Sequence, residues 1–432
     1  MAELKSINDT VHGTLRLDPL VLDLLESLEL QRLNGIRQLG LTYLVFPGAN
    51  HSRVEHCLGV AHVAGEIAEA VGLPEEERRL LVAAGLLHDL GHGPFSHTLE
   101  HVLAKRLGVD HMDVTMGIIE GKRDTVPGRD RKALPEIARV PAVLEEHGLR
   151  PRAVAALIKG RSAGARGLSV HKGQAHFAAR RCLAQIIHSA VDADQIDYLM
   201  RDSHYTGVAL GMIDFRRLLQ TFAVHNGELV LQRKGVPALE GMLTARALMY
   251  SSVYFHKTVR IAEQMLSRAV ERSEGDITAI QSMVDAELVQ WLLGQGGFQR
   301  EVALRLKYRK LFKRVWVRGK YELDDGERAA LARLSDSERR REAEDAIARR
   351  AGAKPGGVLV DIPLPELLIS EPRIAKTDVK VLDRGRLAPL HRVSPLARAL
   401  QLRDVSDWVV MAAARPEERK AVERQVERVL FA

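Results

Sequence analysis

The chain has 432 residues, 46% of them hydrophobic and 28% charged, the balance of a folded soluble protein of two or three domains rather than a disordered or fibrous one. Only two cysteines occur, Cys57 and Cys182, so a disulfide scaffold is excluded. No apolar run approaches the roughly 20 residues that span a bilayer, and the first residues lack the sections of a signal peptide, so a cytoplasmic protein with no membrane partner is expected.

The formal charge of +7 calls for an anionic partner. It is spread along the chain, and aromatics make up only 4%, so small phosphorylated ligands fit better than nucleic acid, which stays secondary. Up to about residue 320 most of the chain is predicted helical. Apolar residues recur at three- and four-residue steps over residues 18–39, 56–71, 74–88 and 178–201. A strand is predicted at residues 42–46, where TYLVF is β-branched and aromatic and closes at Pro47-Gly48.

Residues 121–131, polar with Pro127 and Gly128, are predicted to be a loop. Residues 160–174 interleave glycines with Arg161, Arg166, His171 and Lys172, and two readings stand: a solvated linker, or a basic lid over a phosphate site. Residues 324–350 alternate in charge and predict an exposed helix with internal ion pairs. Beyond Lys354-Pro355-Gly356-Gly357, strands are predicted at 358–362, 379–382 and 408–413, and a final helix at 417–431. The expected fold is mostly α: a helical core over 1–320, a charged connector over 321–357, and a small α+β section over 358–432 for regulation or oligomerisation.

Three helical pieces carry the chemistry. The first runs from His51 through Arg53 and Glu55 to His56. The second is GLLHDLGHGPFSH, residues 85–97, and the third is VDADQIDYLMRD, residues 191–202. With 17 histidines in the chain, roughly one His-Asp pair is expected by chance, so His88-Asp89 alone says little. It gains weight from its place at a helix end, before a Gly-His-Gly-Pro turn that brings His92 and His97 back toward it. An adjacent imidazole and carboxylate can bind one metal without straining the chain. A further His and Asp from other helices, with His56 and Asp194 at hand, would complete a four-ligand face.

In the third piece Asp194, Asp197, Tyr198 and Arg201 share one helix face, with Asp202 one turn after Tyr198. Asp197 and Arg201 read equally as part of a site wall or as an intrahelical ion pair. His62 lies six residues after His56 and faces elsewhere, and His188 takes no assigned role.

At these residues the sequence resembles the HD-domain deoxynucleoside triphosphate triphosphohydrolases, the group containing the vertebrate sterile-alpha-motif and HD-domain enzyme and shorter bacterial relatives. The matching strings, in order, are NDTVHG from Asn8, QRLNGIRQLG from Gln31, VFPGANHSRVEHCLGV from Val45, the second and third pieces above, YFHKT from Tyr254 and YRKLFKRV from Tyr308. The resemblance implies a helical HD core that cleaves a dNTP at the α-phosphorus, releasing deoxynucleoside and triphosphate. It implies His56, His88, Asp89 and Asp194 as metal ligands, and His97 and His92 as catalytic histidines, with Glu100 and His111 beside them. Arg53, Tyr198 and Arg246 fall at phosphate contacts, Gln38 and Asp202 at the sugar 3′-hydroxyl, and Tyr254 under C2′. The cofactors implied are one divalent transition metal (iron, manganese, zinc or nickel) and magnesium or manganese with the nucleotide phosphates.

The resemblance further implies a homo-oligomer, tetramer or dimer, that binds an activating dNTP or GTP near His256, Lys257, Arg309 and Lys313; surface charge is the other reading of those four residues. Asn34 stands where the vertebrate enzyme reads guanine with an arginine, which speaks against GTP. Other departures are Gln195 in place of a phosphate-binding lysine, Met112 in place of a glutamate for which Asp113 is a candidate substitute, and Phe255 in place of a polar residue near the base. Lys172 or Arg166 are candidates to replace the missing cation. Two other functions fit the same residues: an HD phosphohydrolase acting on another phosphorylated nucleotide or a nucleic-acid end, and a nucleotide-binding regulator that keeps its metal site.

Overall fold

The computed structural model describes residues 5–160, 181–363, 379–400 and 409–432. It is mostly helical, with small sheets, as the apolar spacing leads one to expect. Two helices form the frame of the site. Arg53–Ala70 starts from a capping box in which Ser52 and Glu55 satisfy each other's free backbone amides. Glu75–Leu87 follows Pro74 and carries three glutamates in its first turn, where they meet the positive end of the helix dipole. The two pack closely because Gly85 lacks a side chain: a Cβ there would lie 3.0 Å from Ala61 Cα and Val60 O.

A third helix, Ala193–Thr206, is capped by Asp192 and ends on the left-handed Gly207. It crosses Arg53–Ala70 at Gly59, where an added Cβ would sit 1.8 Å from Asp197 Oδ1. These three helices share one hydrophobic cluster. A second cluster joins the Ser96–Leu107, Lys257–Glu271, Asp285–Gln295 and Gly297–Lys307 helices, and a third fills the C-terminal section.

Several local expectations are corrected. The helix expected at 18–39 breaks at Ser27, whose backbone is extended, into Pro19–Glu26, Leu28–Gln31 and a tight turn over Arg32–Gly35. The strand expected at 42–46 is a 3-10 turn, Thr42–Leu44: with no strand beside it, the Val45 and Phe46 amides bond back to Thr42 O at 2.9 Å. The 121–131 loop runs into a short helix, Gly128–Ala133. The charged segment is two helices, Asp325–Arg333 and Ser337–Ala351, and the second is not wholly exposed. Its Glu344 is buried and accepts from Arg268 Nε at 2.9 Å. Residues 161–174 of the glycine-rich segment, with Arg161, Arg166, His171 and Lys172, lie outside the described residues.

The strands expected beyond residue 357 appear as Val358–Asp361, Lys380–Asp383 and Val410–Ala414, and the last helix is Arg419–Leu430. They do not close on themselves. Lys313–Arg318 pairs with Val410–Ala414, and Glu228–Gln232 pairs with Lys380–Asp383, so both sheets draw on strands from before residue 320. A hairpin of Ser6–Asp9 and Gly13–Arg16 opens the described chain. Among the described residues no helix is long and apolar enough to cross a membrane.

Gly59→Ala should cost about 1–3 kcal/mol through overpacking. Gly241→Ala, in the exposed interior of Val236–Met249 with nothing within 4 Å, should stabilise by up to about 1 kcal/mol. Urea unfolding midpoints at constant slope separate the two; a Gly59→Ala protein as stable as the parent would refute the close crossing.

Candidate metal centre and active-site cavity

His56, His88 and Asp194 bring ligand atoms within 4.8 Å of one another from the three site helices. Asp194 Oδ1 lies 3.0 Å from His56 Nε2 and 3.9 Å from His88 Nε2. Asp89 adjoins the group, its Oδ1 3.2 Å from His88 Nε2. The other nitrogen of each ring is already held: His56 Nδ1 lies 2.8 Å from Asp197 Oδ2, and His88 Nδ1 2.8 Å from Gly85 O. Such partners fix the tautomer and turn both Nε2 lone pairs toward one point.

The donor set fits a divalent ion. Burial lowers the His56 pKa, but the bonds to Asp194 and Asp197 outweigh it and raise it to about 10. The cluster is built around a positive charge, which a metal would supply in place of that proton.

Beside the ligands, Arg53 is 1% exposed and is largely committed: it bonds Asp89 and Ser96, with His97 Nε2 at 3.3 Å. His92 Nε2 lies 3.3 Å from Asp89 Oδ1, and its ring stacks on His111 at 4.2 Å. His111 is bonded to Glu100. The histidines are driven apart electrostatically. Burial, then Arg53, holds His92 well below the usual imidazole range. Enclosure and Arg53 likewise depress His97, which projects into the cavity. Burial lowers His111 too, but Glu100 overcomes it and raises the pKa, while burial raises Glu100 and His111 brings it down to about 2. Glu100 and His111 are thus a bonded pair beside two imidazoles whose proton affinity is depressed.

Apart from Asp197 and Gly85, these residues line one cavity of about 650 Å³. Its lining also includes Gln38, Tyr198, Asp202, Arg246 and Tyr254, residues that the resemblance places around the sugar and phosphates. Tyr254 ends a π-turn, Tyr250–Tyr254, and donates its hydroxyl to Asp202 Oδ2 at 2.5 Å. Arg246 Nη1 donates to Gln195 Oε1 at 2.8 Å, so Gln195 holds the arginine rather than replacing the missing lysine. In the cavity lining, Gln38 Oε1 and Arg246 Nε are buried without a hydrogen-bond partner among the described residues. Buried polar atoms in a folded chain are normally satisfied, so these two fit a ligand bound in the cavity. Farther along, Arg260 lies over the Phe255 ring at 5.7 Å and ties the wall to the C-terminal sheet through Asp361 Oδ1 at 2.6 Å.

The activator candidates lie elsewhere, on the surface. His256 caps the Lys257–Glu271 helix and stands edge-on to Phe46, and Arg309 donates to Leu44 O at 2.6 Å, so both flank one short segment. Lys257 and Lys313 are exposed. Asp113 does not stand in for the missing glutamate in the histidine group: it pairs with Lys159.

Sequence reasoning missed His12, Asp9 and the site role of His51, because their partners lie far along the chain. His51 Nε2 lies 2.9 Å from Asp202 Oδ1. The matching string NDTVHG was the one signal that could have drawn attention to Asp9 and His12. His188 proves to line the cavity, and His62 faces His12.

Comparison with known proteins matches residues 53–202 to the HD domain and residues 213–431 to the HD associated region. An uncharacterised protein of Methanocaldococcus jannaschii is 31% identical, over 96% of this chain and 80% of its own. The deoxynucleoside triphosphate triphosphohydrolase SAMHD1 homolog of Dictyostelium discoideum is 27% identical, over 74% of this chain and 60% of its own length. A hypothetical protein of Aquifex aeolicus has a similar crystal structure, with a TM-score of 0.71 at 26% identity, covering 98% of this chain and 100% of that one.

Manganese at a hundred times its Kd should stabilise the protein by about 2.7 kcal/mol, read as a raised Tm, and His56→Ala or His88→Ala should remove the effect. No shift with manganese, iron, zinc or nickel would show that the cluster holds no metal.

Proposed function

This chain belongs to the family that joins an HD domain to an HD-associated region, and on that premise we propose that it is a metal-dependent phosphohydrolase cleaving deoxynucleoside triphosphates to deoxynucleoside and inorganic triphosphate. The observation that carries the reading is one cavity whose lining joins a candidate His/Asp metal cluster to Arg246, Tyr254 and Asp202. A divalent ion held by His56, His88, Asp89 and Asp194 would supply Lewis acidity and make water nucleophilic near neutral pH.

The chain's own residues do the rest. Arg246, oriented by Gln195, neutralises phosphate charge, and Arg53, with most of its donors on Asp89 and Ser96, sets the position of the metal-facing carboxylate. His97 is neutral before substrate arrives. The negative charge of a triphosphate raises its proton affinity, and it then delivers a proton to the leaving 5′-oxygen. His92, stacked on His111 and backed by Glu100, stabilises charge on the same side. The Tyr254 ring, fixed through Asp202, packs under C2′ and leaves no room for a hydroxyl, while Gln38 and Asp202 bind the 3′-hydroxyl.

Gln195 favours one competing substrate class. With one cation fewer beside the metal, a nucleotide carrying fewer phosphates, or a nucleic-acid end, also fits. Activation by a dNTP between subunits of an oligomer, near His256, Lys257, Arg309 and Lys313, belongs to the same proposal.

Incubation with manganese and each dNTP should release deoxynucleoside plus triphosphate; release of monophosphate or orthophosphate would overturn the reading. Replacing His88 and Asp89 by alanine should bring turnover to background while the protein remains folded. Tyr254→Ala should reduce the preference for deoxyribonucleotides over ribonucleotides by about tenfold, measured as a ratio of kcat/KM values.

A further inference from the structure

The hairpin Ser6–Asp9 and Gly13–Arg16 has mostly exposed strands, yet its turn is driven into the protein behind the metal ligands. The His12 side chain is 3% exposed, packed by His62 at 5.0 Å and Phe215 at 6.4 Å between ring centroids. Its Nε2 meets Asp197 Oδ1 at 2.7 Å. Asp197 Oδ2 in turn meets His56 Nδ1 at 2.8 Å. We propose that His12 is a positioning residue for the metal ligand His56, acting through the Asp197 carboxylate. The proposal rests on the metal-centre reading above.

Asp197 is wholly buried and has four side-chain contacts. Two are from Arg201, Nε at 2.9 Å and Nη2 at 3.0 Å, and the others are His12 and His56. A carboxylate has about four lone-pair sites, so each is taken and the plane of the group is fixed. Without His12 the carboxylate is free to turn fully onto the planar guanidinium of Arg201 and away from His56. The imidazole then loses the partner that sets its tautomer and ring angle.

Asp9 holds the other end of the arrangement. Its Oδ1 accepts from the Val11 and His12 amides at 2.8 Å, shaping the turn, and its Oδ2 pairs with Arg201 Nη1 at 2.9 Å. Gly13, at φ +77, lets the chain reverse directly after His12. The hairpin thus holds a residue of the Ala193–Thr206 helix in place from outside the cavity, touching neither the cavity nor a substrate.

The test uses the full chain, with manganese as the probe. Manganese affinity is measured by calorimetry on the parent, His12→Ala and His12→Gln proteins, with folding followed by circular dichroism. His12→Ala should weaken manganese binding about 10–100-fold and lower kcat with little change in KM for nucleotide. His12→Gln, whose amide nitrogen reaches the same carboxylate oxygen, should recover most of both. Parent-like manganese affinity in His12→Ala, or a His12→Gln protein as impaired or as unfolded as His12→Ala, would overturn the positioning role. A parent protein that binds no manganese would instead refute the metal centre itself.

Discussion

The structure turns on one carboxylate kept from water. Asp197 lies at the crossing of two helices and cannot stay charged there unless every lone pair is met, since an unpaired buried charge costs several kcal/mol. That requirement explains otherwise scattered residues. Gly59 makes room for it, Arg201 neutralises it, His56 is oriented by it, and a hairpin more than a hundred residues away supplies the fourth contact. Asp194, one turn earlier on the same helix, faces His56 and His88.

Electrostatic contrast organises the rest of the cavity. Burial and then Arg53 depress the proton affinity of His92 and His97, and the same two influences act on His111, where the bonded Glu100 carboxylate overcomes them and raises it. Groups whose environments separate their proton affinities can divide acid and base work among themselves at one pH. Glu100 is the divider, and Arg53, with its donors on Asp89 and Ser96, acts on all three alike.

The candidate metal-binding group of His56, His88 and Asp194 was legible in the sequence because its members sit at helix ends or on helix faces, in short runs whose spacing already constrains geometry: His88-Asp89 before a glycine turn, and Asp194 on the face shared with Asp197 and Tyr198. The helical class was legible for the same reason. What escaped was non-local. TYLVF has the composition of a strand but no strand to pair with, so it closed into a 3-10 turn. Apolar spacing over 18–39 survives in three helical pieces because core contacts tolerate the extended break at Ser27. The His12 contact joins residues 185 positions apart, and no periodicity encodes it. Gln195, read as a lost cation, turned out to be the acceptor that aims a retained one.

Arg260 gives the cavity a mechanical property as well as a chemical one. It lines the wall and is ion-paired with Asp361 at the end of Val358–Asp361, a strand bonded to Val410–Ala414 and through it to Lys313–Arg318. A sheet is stiff along its hydrogen-bonded ladder, and a planar guanidinium gripped by a carboxylate resists twisting. A displacement of the C-terminal sheet would therefore be felt first at Arg260, whose helix packs in the second hydrophobic cluster, whereas the helices carrying His56 and His88 pack in the first. The lining of the cavity thus takes one of its members from an element tied to a remote sheet.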